Sequence, residues 1–400
     1  MFKKSLLVAA ISAISLSAPA FSAPSSDEMW KTIQSQQNEI QQLKSQVAAT
    51  ADAFESSFAS GSKLAQWAEK TSIGGYGELH YNNLNNQLSG GSADKDEIDL
   101  HRFVLFFGHQ FSDDVRFYSE LEVEHAIAGE GKAGEVEVEQ AFVEWGYTEN
   151  HHVKAGSFLI PVGIINETHE TDTFYGVERN PVEKNIIPAT WWEGGLAFSG
   201  TLSAGLNYDL AISSGLSLAD GKYKVRDGRQ KVGEANADDF AYTARLKYTA
   251  IQGLELAATV QYQEDLLQGE QHSSGAKNVD GVLIEGHAVY QVDALSVRAL
   301  YAQWNLDRAL STSQSGADEQ KGWYLEPAYK VNEKLGVFAR YGEWDNQAGD
   351  QTDSKYKQLD FGANYWVTET VVAKVDYQIQ SAPSGNDEFD GLSLGVGWSF

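Results

Sequence analysis

Two periodicities divide the chain. From Thr71 to Phe400 apolar and polar residues alternate with a period of two, and the last segment shows it most plainly. There Leu392, Leu394, Val396, Trp398 and Phe400 alternate with Ser393, Gly395, Gly397 and Ser399. Leu359, Phe361, Ala363, Tyr365 and Val367 repeat the pattern, as do Val371, Ala373, Val375, Tyr377 and Ile379, and Phe240, Tyr242, Ala244, Leu246 and Tyr248. A period of two is that of a strand with unlike faces. Stretches this long, apolar on one face and small or charged on the other, fit a strand with lipid outside and water inside. Strands of soluble sandwiches average only ~5–6 residues.

Sixteen such segments are predicted, near 72–81, 97–111, 114–127, 135–148, 151–160, 191–200, 203–214, 238–250, 254–265, 279–291, 294–305, 320–330, 334–345, 355–367, 369–380 and 388–400. Their connections alternate long and short throughout. Short turns on one side and long loops on the other are the rule for outer-membrane barrels, and an even strand number puts both ends in the periplasm. The fold expected is all-β: a 16-stranded antiparallel transmembrane barrel over 70–400. Trp145, Tyr147, Tyr248, Tyr329, Tyr365, Trp398 and Phe400 fall at its periplasmic ends, where amphipathic rings collect. The closing Trp398-Ser399-Phe400 has the form of an outer-membrane assembly signal.

Residues 23–66 follow a different rhythm. Met29, Ile33, Ile40, Leu43, Val47 and Phe54 lie three or four apart, with Gln36 and Thr50 in two seam positions. This predicts a short periplasmic coiled-coil-like helix; a partly helical polar linker is the alternative. Residues 1–22 read as a signal peptide: basic Lys3 and Lys4, an apolar run from Leu6 to Leu16, then small residues to Ala23. No later stretch reaches the ~18 apolar residues of a transmembrane helix.

Composition narrows the function. Cysteine is absent, and 30 basic residues face 56 acidic ones, which excludes nucleic acid as a partner. Outer-membrane lipid, lipopolysaccharide and small ions or solutes are the partners expected, in a homotrimer. Enzymatic signatures are poor: His125, His169 and His287 stand alone in sequence, His151-His152 has no metal-binding company, and no serine sits in a nucleophile elbow. No cofactor or metal is expected. A plugged structural barrel and a barrel hydrolase are the other classes in play.

Val153 to Gly163 (VKAGSFLIPVG) resembles the K-x-G-x-F-x-x-P-x-G stretch of the phosphate-selective porin O and P family. Glu139 to Trp145 and Ile98 to Phe103 resemble neighbouring strands of that family. The resemblance covers about 70–400 and implies a trimeric porin whose third outer loop folds into the channel, with phosphate or another oxyanion as solute.

The third long loop, 161–190, holds Pro161, Pro181 and Pro188 and is expected to form the constriction. Its charges include Glu167, Glu170, Arg179 and Lys184. Alternation assigns Arg102, Arg116, Lys154, Arg245, Lys247, Arg298, Arg340 and Lys374 to the lumen. The expected constriction is thus an acidic loop facing a basic wall. The same face carries Glu78, Glu120, Glu122, Glu124 and Glu144, which favours a non-selective or cation-preferring pore instead. A basic run in the fourth loop, Lys222, Lys224, Arg226, Arg229 and Lys231, has three readings: gathering anions, pairing with lipopolysaccharide phosphates or acidic loops, or plain solvation.

Overall fold

The computed structural model describes residues 26–59, 67–307, 309–310 and 315–400; the expected signal peptide lies outside them. Helix α1 (Ser26–Ala59) belongs to one compact unit, and Glu69–Phe400 forms the other. Along α1, Ile40, Leu43 and Val47 keep their seam spacing and are exposed.

The second unit is a closed barrel of sixteen antiparallel strands, each paired with its neighbours in sequence. In chain order they are β1 Thr71–Asn86, β2 Lys95–Gln110, β3 Val115–Glu124, β4 Val136–Thr148, β5 His151–Leu159, β6 Trp192–Ser203, β7 Leu206–Ser213 and β8 Ala241–Tyr248. The second half runs β9 Leu254–Gln263, β10 Gly281–Val292, β11 Leu295–Leu306, β12 Glu319–Lys330, β13 Leu335–Asp345, β14 Lys355–Thr368, β15 Val371–Ser381 and β16 Phe389–Ser399. The seam joins β1 to β16: the Gly75 and Phe400 amides each donate to the other's carbonyl, at 3.0 and 2.9 Å. With every ladder paired, no strand edge is left for lipid to solvate.

Burial is inverted relative to a soluble protein. On β16, Leu392, Leu394 and Val396 are exposed while Ser393 is 1% exposed. The outward apolar band meets hydrocarbon; the inward face takes the polar groups.

The inside is not uniformly polar. Three long loops, L3 (160–191), L4 (214–240) and L5 (264–280), fold inward. Ile160, Val162, Val182, Ile186, Ile187 and Trp191 of L3 join Leu216, Leu218 and Val225 of L4 and Leu266, Leu267 and Val279 of L5 in one apolar cluster. It packs on inward residues of β10 to β13, among them Leu283, Leu300, Trp304, Tyr324 and Trp344. Sequence reading expected only L3 inside. The reason for the difference is that Leu216, Leu218 and Val225 of L4 and Leu266, Leu267 and Val279 of L5 gain by burial against the apolar inward residues.

Two glycines of the K-x-G-x-F-x-x-P-x-G stretch explain its form. Gly156 has φ +138, and a Cβ there would lie 2.8 Å from Cα of Phe142 on β4. Gly163, at φ +72, turns the chain from β5 into L3.

Candidate functional site

L3 carries a five-residue helix, α2 (Pro181–Asn185), capped by Asn180, whose side chain accepts from the Glu183 amide at 2.8 Å. Proline opens the helix where a missing N–H costs nothing. Glu183 is buried behind it: its carboxylate accepts from the amides of Ile164 and Ile165 at 2.9 and 2.7 Å and from the Tyr324 hydroxyl at 2.7 Å. One side chain thus staples both ends of L3 to β12.

The wall holds L3 by its cations. Arg340 bridges Glu326 (3.2 Å) and Asp360 (3.0 Å) and donates to the Glu178 and Tyr175 carbonyls. Lys374 donates to the Gly176 carbonyl at 2.9 Å and lies 3.8 Å from the centre of the Phe174 ring. Arg298 donates to the Thr173 carbonyl at 2.8 Å, and Arg245 pairs with both Asp209 and Glu167.

Beside these loops lies a cavity of about 590 Å³, bounded by L3, L4 and inward residues of β1 to β4 and β14 to β16. Its loop side carries Arg179, Lys184, Arg226 and Arg229; its strand side carries Glu78, Asp99, Glu137 and Glu139, with Glu124 at the end of β3. Arg226 donates to the carbonyls of Lys184 and Ala189 at 2.9 and 2.7 Å, and Arg229 to that of Thr190 at 2.6 Å. Burial, then the neighbouring Arg229 and Arg179, push the Arg226 guanidinium down to about 9, so it stays cationic at neutral pH.

The field across the cavity therefore runs opposite to the sequence expectation. Most of the lining cations come from the loops and most of the carboxylates from the wall; of the acidic residues of L3, Glu167 turns to Arg245, while Glu178 and Glu183 line the cavity held by His80 and by loop amides. Of the residues singled out in sequence, Arg102, Arg179 and Lys184 line this cavity. Arg102 does so paired with Glu78 at 2.6 Å. Arg245, Arg298, Arg340 and Lys374 anchor loops instead. Arg116 pairs with Glu144 at 2.7 Å, Lys154 stacks over Phe142, Lys247 lies 3.9 Å from Glu255, and the Glu170 carbonyl accepts from the Thr173 amide. Arg226 and Arg229 entered the sequence reading only as a loop charge run.

The Gram-negative porin family model matches residues 47–382. The chain belongs to the Gram-negative porin family. A protein of Aquifex aeolicus (strain VF5), itself uncharacterized, is 31% identical over 370 residues, covering 85% of this porin and 82% of its own chain. Among solved structures, the barrel is similar to the anion-selective porin of Comamonas acidovorans (13% identity, 82% of this chain and 99% of that one, TM-score 0.59). It is also similar to the outer membrane channel DcaP of Acinetobacter baumannii (15% identity, 82% and 97%, TM-score 0.57). Likenesses at this identity speak to the fold alone. Family and fold together make this porin an outer-membrane protein of channel architecture rather than that of an enzyme.

In the porin, L3 has one further anchor. His169 Nε2 lies 3.3 Å from Glu120 and 3.4 Å from Glu139 in a site where it is 3% exposed. Burial works to lower its pKa, but hydrogen bonds to the two carboxylates outweigh burial and raise it to about 10. A raised imidazole stabilises the fold fully below the ordinary histidine value of ~6.5 and loses that contribution as pH climbs through the folded value. L3 is expected to loosen between pH ~6.5 and about 10. Quenching of Trp191 and Trp192 fluorescence should rise over that window in the native porin and stay flat in His169→Gln.

Proposed function

We propose that this porin conducts small hydrophilic solutes passively across the outer membrane through the cavity between the loop cations and the wall carboxylates. The observation that carries this reading is the pairing of Arg179, Lys184, Arg226 and Arg229 on one side with Glu78, Asp99, Glu124, Glu137 and Glu139 on the other. Opposed charges across a narrow water-filled gap orient dipolar solutes and hold net selectivity low. A general diffusion channel follows, in place of a phosphate filter. The wall arginines that a filter needs are committed to Glu78, Asp209, Glu326 and Asp360.

One observation favours a second reading, a modest anion preference. Arg226 and Arg229 donate to backbone carbonyls, which leaves their charge uncancelled, whereas Glu78 and Glu137 are neutralised by Arg102 and Lys231. Planar-bilayer conductance with reversal potentials under a potassium chloride gradient separates the two. Near-equal permeabilities support the general channel, anion selectivity with block by phosphate supports the filter, and absence of channels removes both.

Residues 23–66 are read as a periplasmic segment in which Ile40, Leu43 and Val47, exposed on α1, pack against the same seam in two other copies. Deleting 26–59 should leave the barrel folded but lower the temperature at which a detergent-resistant trimer dissociates on gels. An unchanged dissociation temperature would assign α1 another role.

A further inference from the structure

Three histidines distant in sequence meet on the cavity wall. Between Glu78 and Leu79 the β1–β2 register slips: Glu78 pairs with Arg102 and Leu79 with Leu100, so His101 is the extra residue of a bulge. Bulges re-aim side chains and are frequent beside functional sites. Just after β3, His125 and Ala126 both adopt left-handed backbone, at φ +50 and +59, a conformation L residues rarely hold. The His125 amide donates to the His101 carbonyl at 3.1 Å. Two local departures from regular strand geometry thus converge on one spot.

What they assemble is a set of donors. Oδ2 of Asp99 lies 3.0 Å from Nδ1 of His101 and 2.7 Å from Nδ1 of His125. His80 stacks on His101 with ring centres 4.6 Å apart, and its Nδ1 is 3.1 Å from Glu178 of L3. Ligand atoms of Asp99, His101 and His125 lie within 4.8 Å of one another, and so do those of His80, His101 and Glu178. All five residues line the cavity, so an ion in it reaches them.

We propose that this histidine cluster binds a first-row divalent transition-metal ion of the Zn²⁺ class from the water of the cavity, through Asp99, His101 and His125, with His80 and Glu178 as an adjoining station. Imidazole with carboxylate selects such ions over Mg²⁺ and Ca²⁺, which demand oxygen. Three protein ligands leave a position open to water, and so suit an ion that must also leave. Placing the ion in the conduction path rests on the channel reading; its binding does not. A bound dication opposes the charge of Asp99 and Glu78 and slows cations that follow.

The test uses the full-length porin in detergent, stripped with chelator. Titration calorimetry with zinc chloride should show saturable binding at micromolar levels, and magnesium chloride none. His101→Gln and His125→Gln should each weaken zinc at least about tenfold, with His152→Gln unchanged and folding of each checked by heat-modifiable gel migration. No zinc heat, or zinc heat equal in wild type and both variants, would overturn the site. Micromolar zinc should also lower wild-type single-channel current, measured against the same channel in chelator, but not that of His101→Gln. Calorimetric binding that the variants abolish, without any effect on current, upholds the metal site and removes the cavity from the conduction path.

Discussion

Arg340→Met should destabilise the barrel by ~3–5 kcal/mol, the cost of leaving buried carboxylates without their cation. Arg340, Glu326 and Asp360 are each only 4% exposed at the side chain, so water compensates little when the guanidinium is removed. Asp360 is the residue directly opposite Arg340 on β14, and Glu326 reaches it from β12. The same fork holds the Glu178 carbonyl, so the loss reaches L3 and the cavity as well as the barrel wall. Arg340→Lys keeps the charge but cannot serve both acids and two carbonyls at once, and should fall between. Urea titration of the detergent-folded protein by tryptophan fluorescence measures the difference. A loss under ~1 kcal/mol for the methionine variant would show that the lumen is wet enough at this point to screen the pair, as on a surface.

Lys184→Glu combined with Arg229→Gln should move the porin decisively toward cations. Lys184 is exposed on the loop side of the cavity, and Arg229 lines it while donating to the Thr190 carbonyl. Glutamine retains an N–H donor, so the aim is to remove charge with little change in loop position. A unit charge ~8 Å from a passing ion contributes ~2 kcal/mol at an effective dielectric constant of ~20. Screening at ~0.1 M salt reduces this to the order of 1 kcal/mol. Each charge removed should therefore change the permeability of each ion by about fivefold in opposite directions, and the cation-to-anion ratio by about thirtyfold. Reversal potentials under a salt gradient read the ratio directly. If they do not move, the loop cations do not govern the path that ions take.

The barrel was legible because its code is local: alternation marks each strand, and the long-short rhythm of connections orders them. Bounds agree within a few residues except at the end of β1, where Asn82, Asn83, Asn85 and Asn86 break the alternation yet pair with Phe389 to Ser393. The interior was less legible. Leu300, Ala302 and Trp304 on β11 are apolar and buried on the inward face, but nothing local says that L4 and L5 cover them. The direction of the field failed for the same reason: which partner a loop carboxylate finds depends on contacts across the barrel. The histidine cluster was out of reach of pattern reading altogether. It depends on a one-residue register slip and on left-handed backbone at His125, neither of which has a sequence signature here.

The seam between Gly75 and Phe400 sets a rule for how this molecule can be made. Because β1 and β16 are ladder partners, no growing chain can complete its hydrogen bonding before β16 has left the ribosome. Contacts between the two extremes of a chain form slowly, since the loop entropy comes due before any contact rewards it. Until then both outer strands present open edges with apolar faces, which associate with one another in water. The protein must therefore be kept extended on its way to the membrane and close there in one late event. Removing β16 would leave not a slightly smaller barrel but an unclosed one.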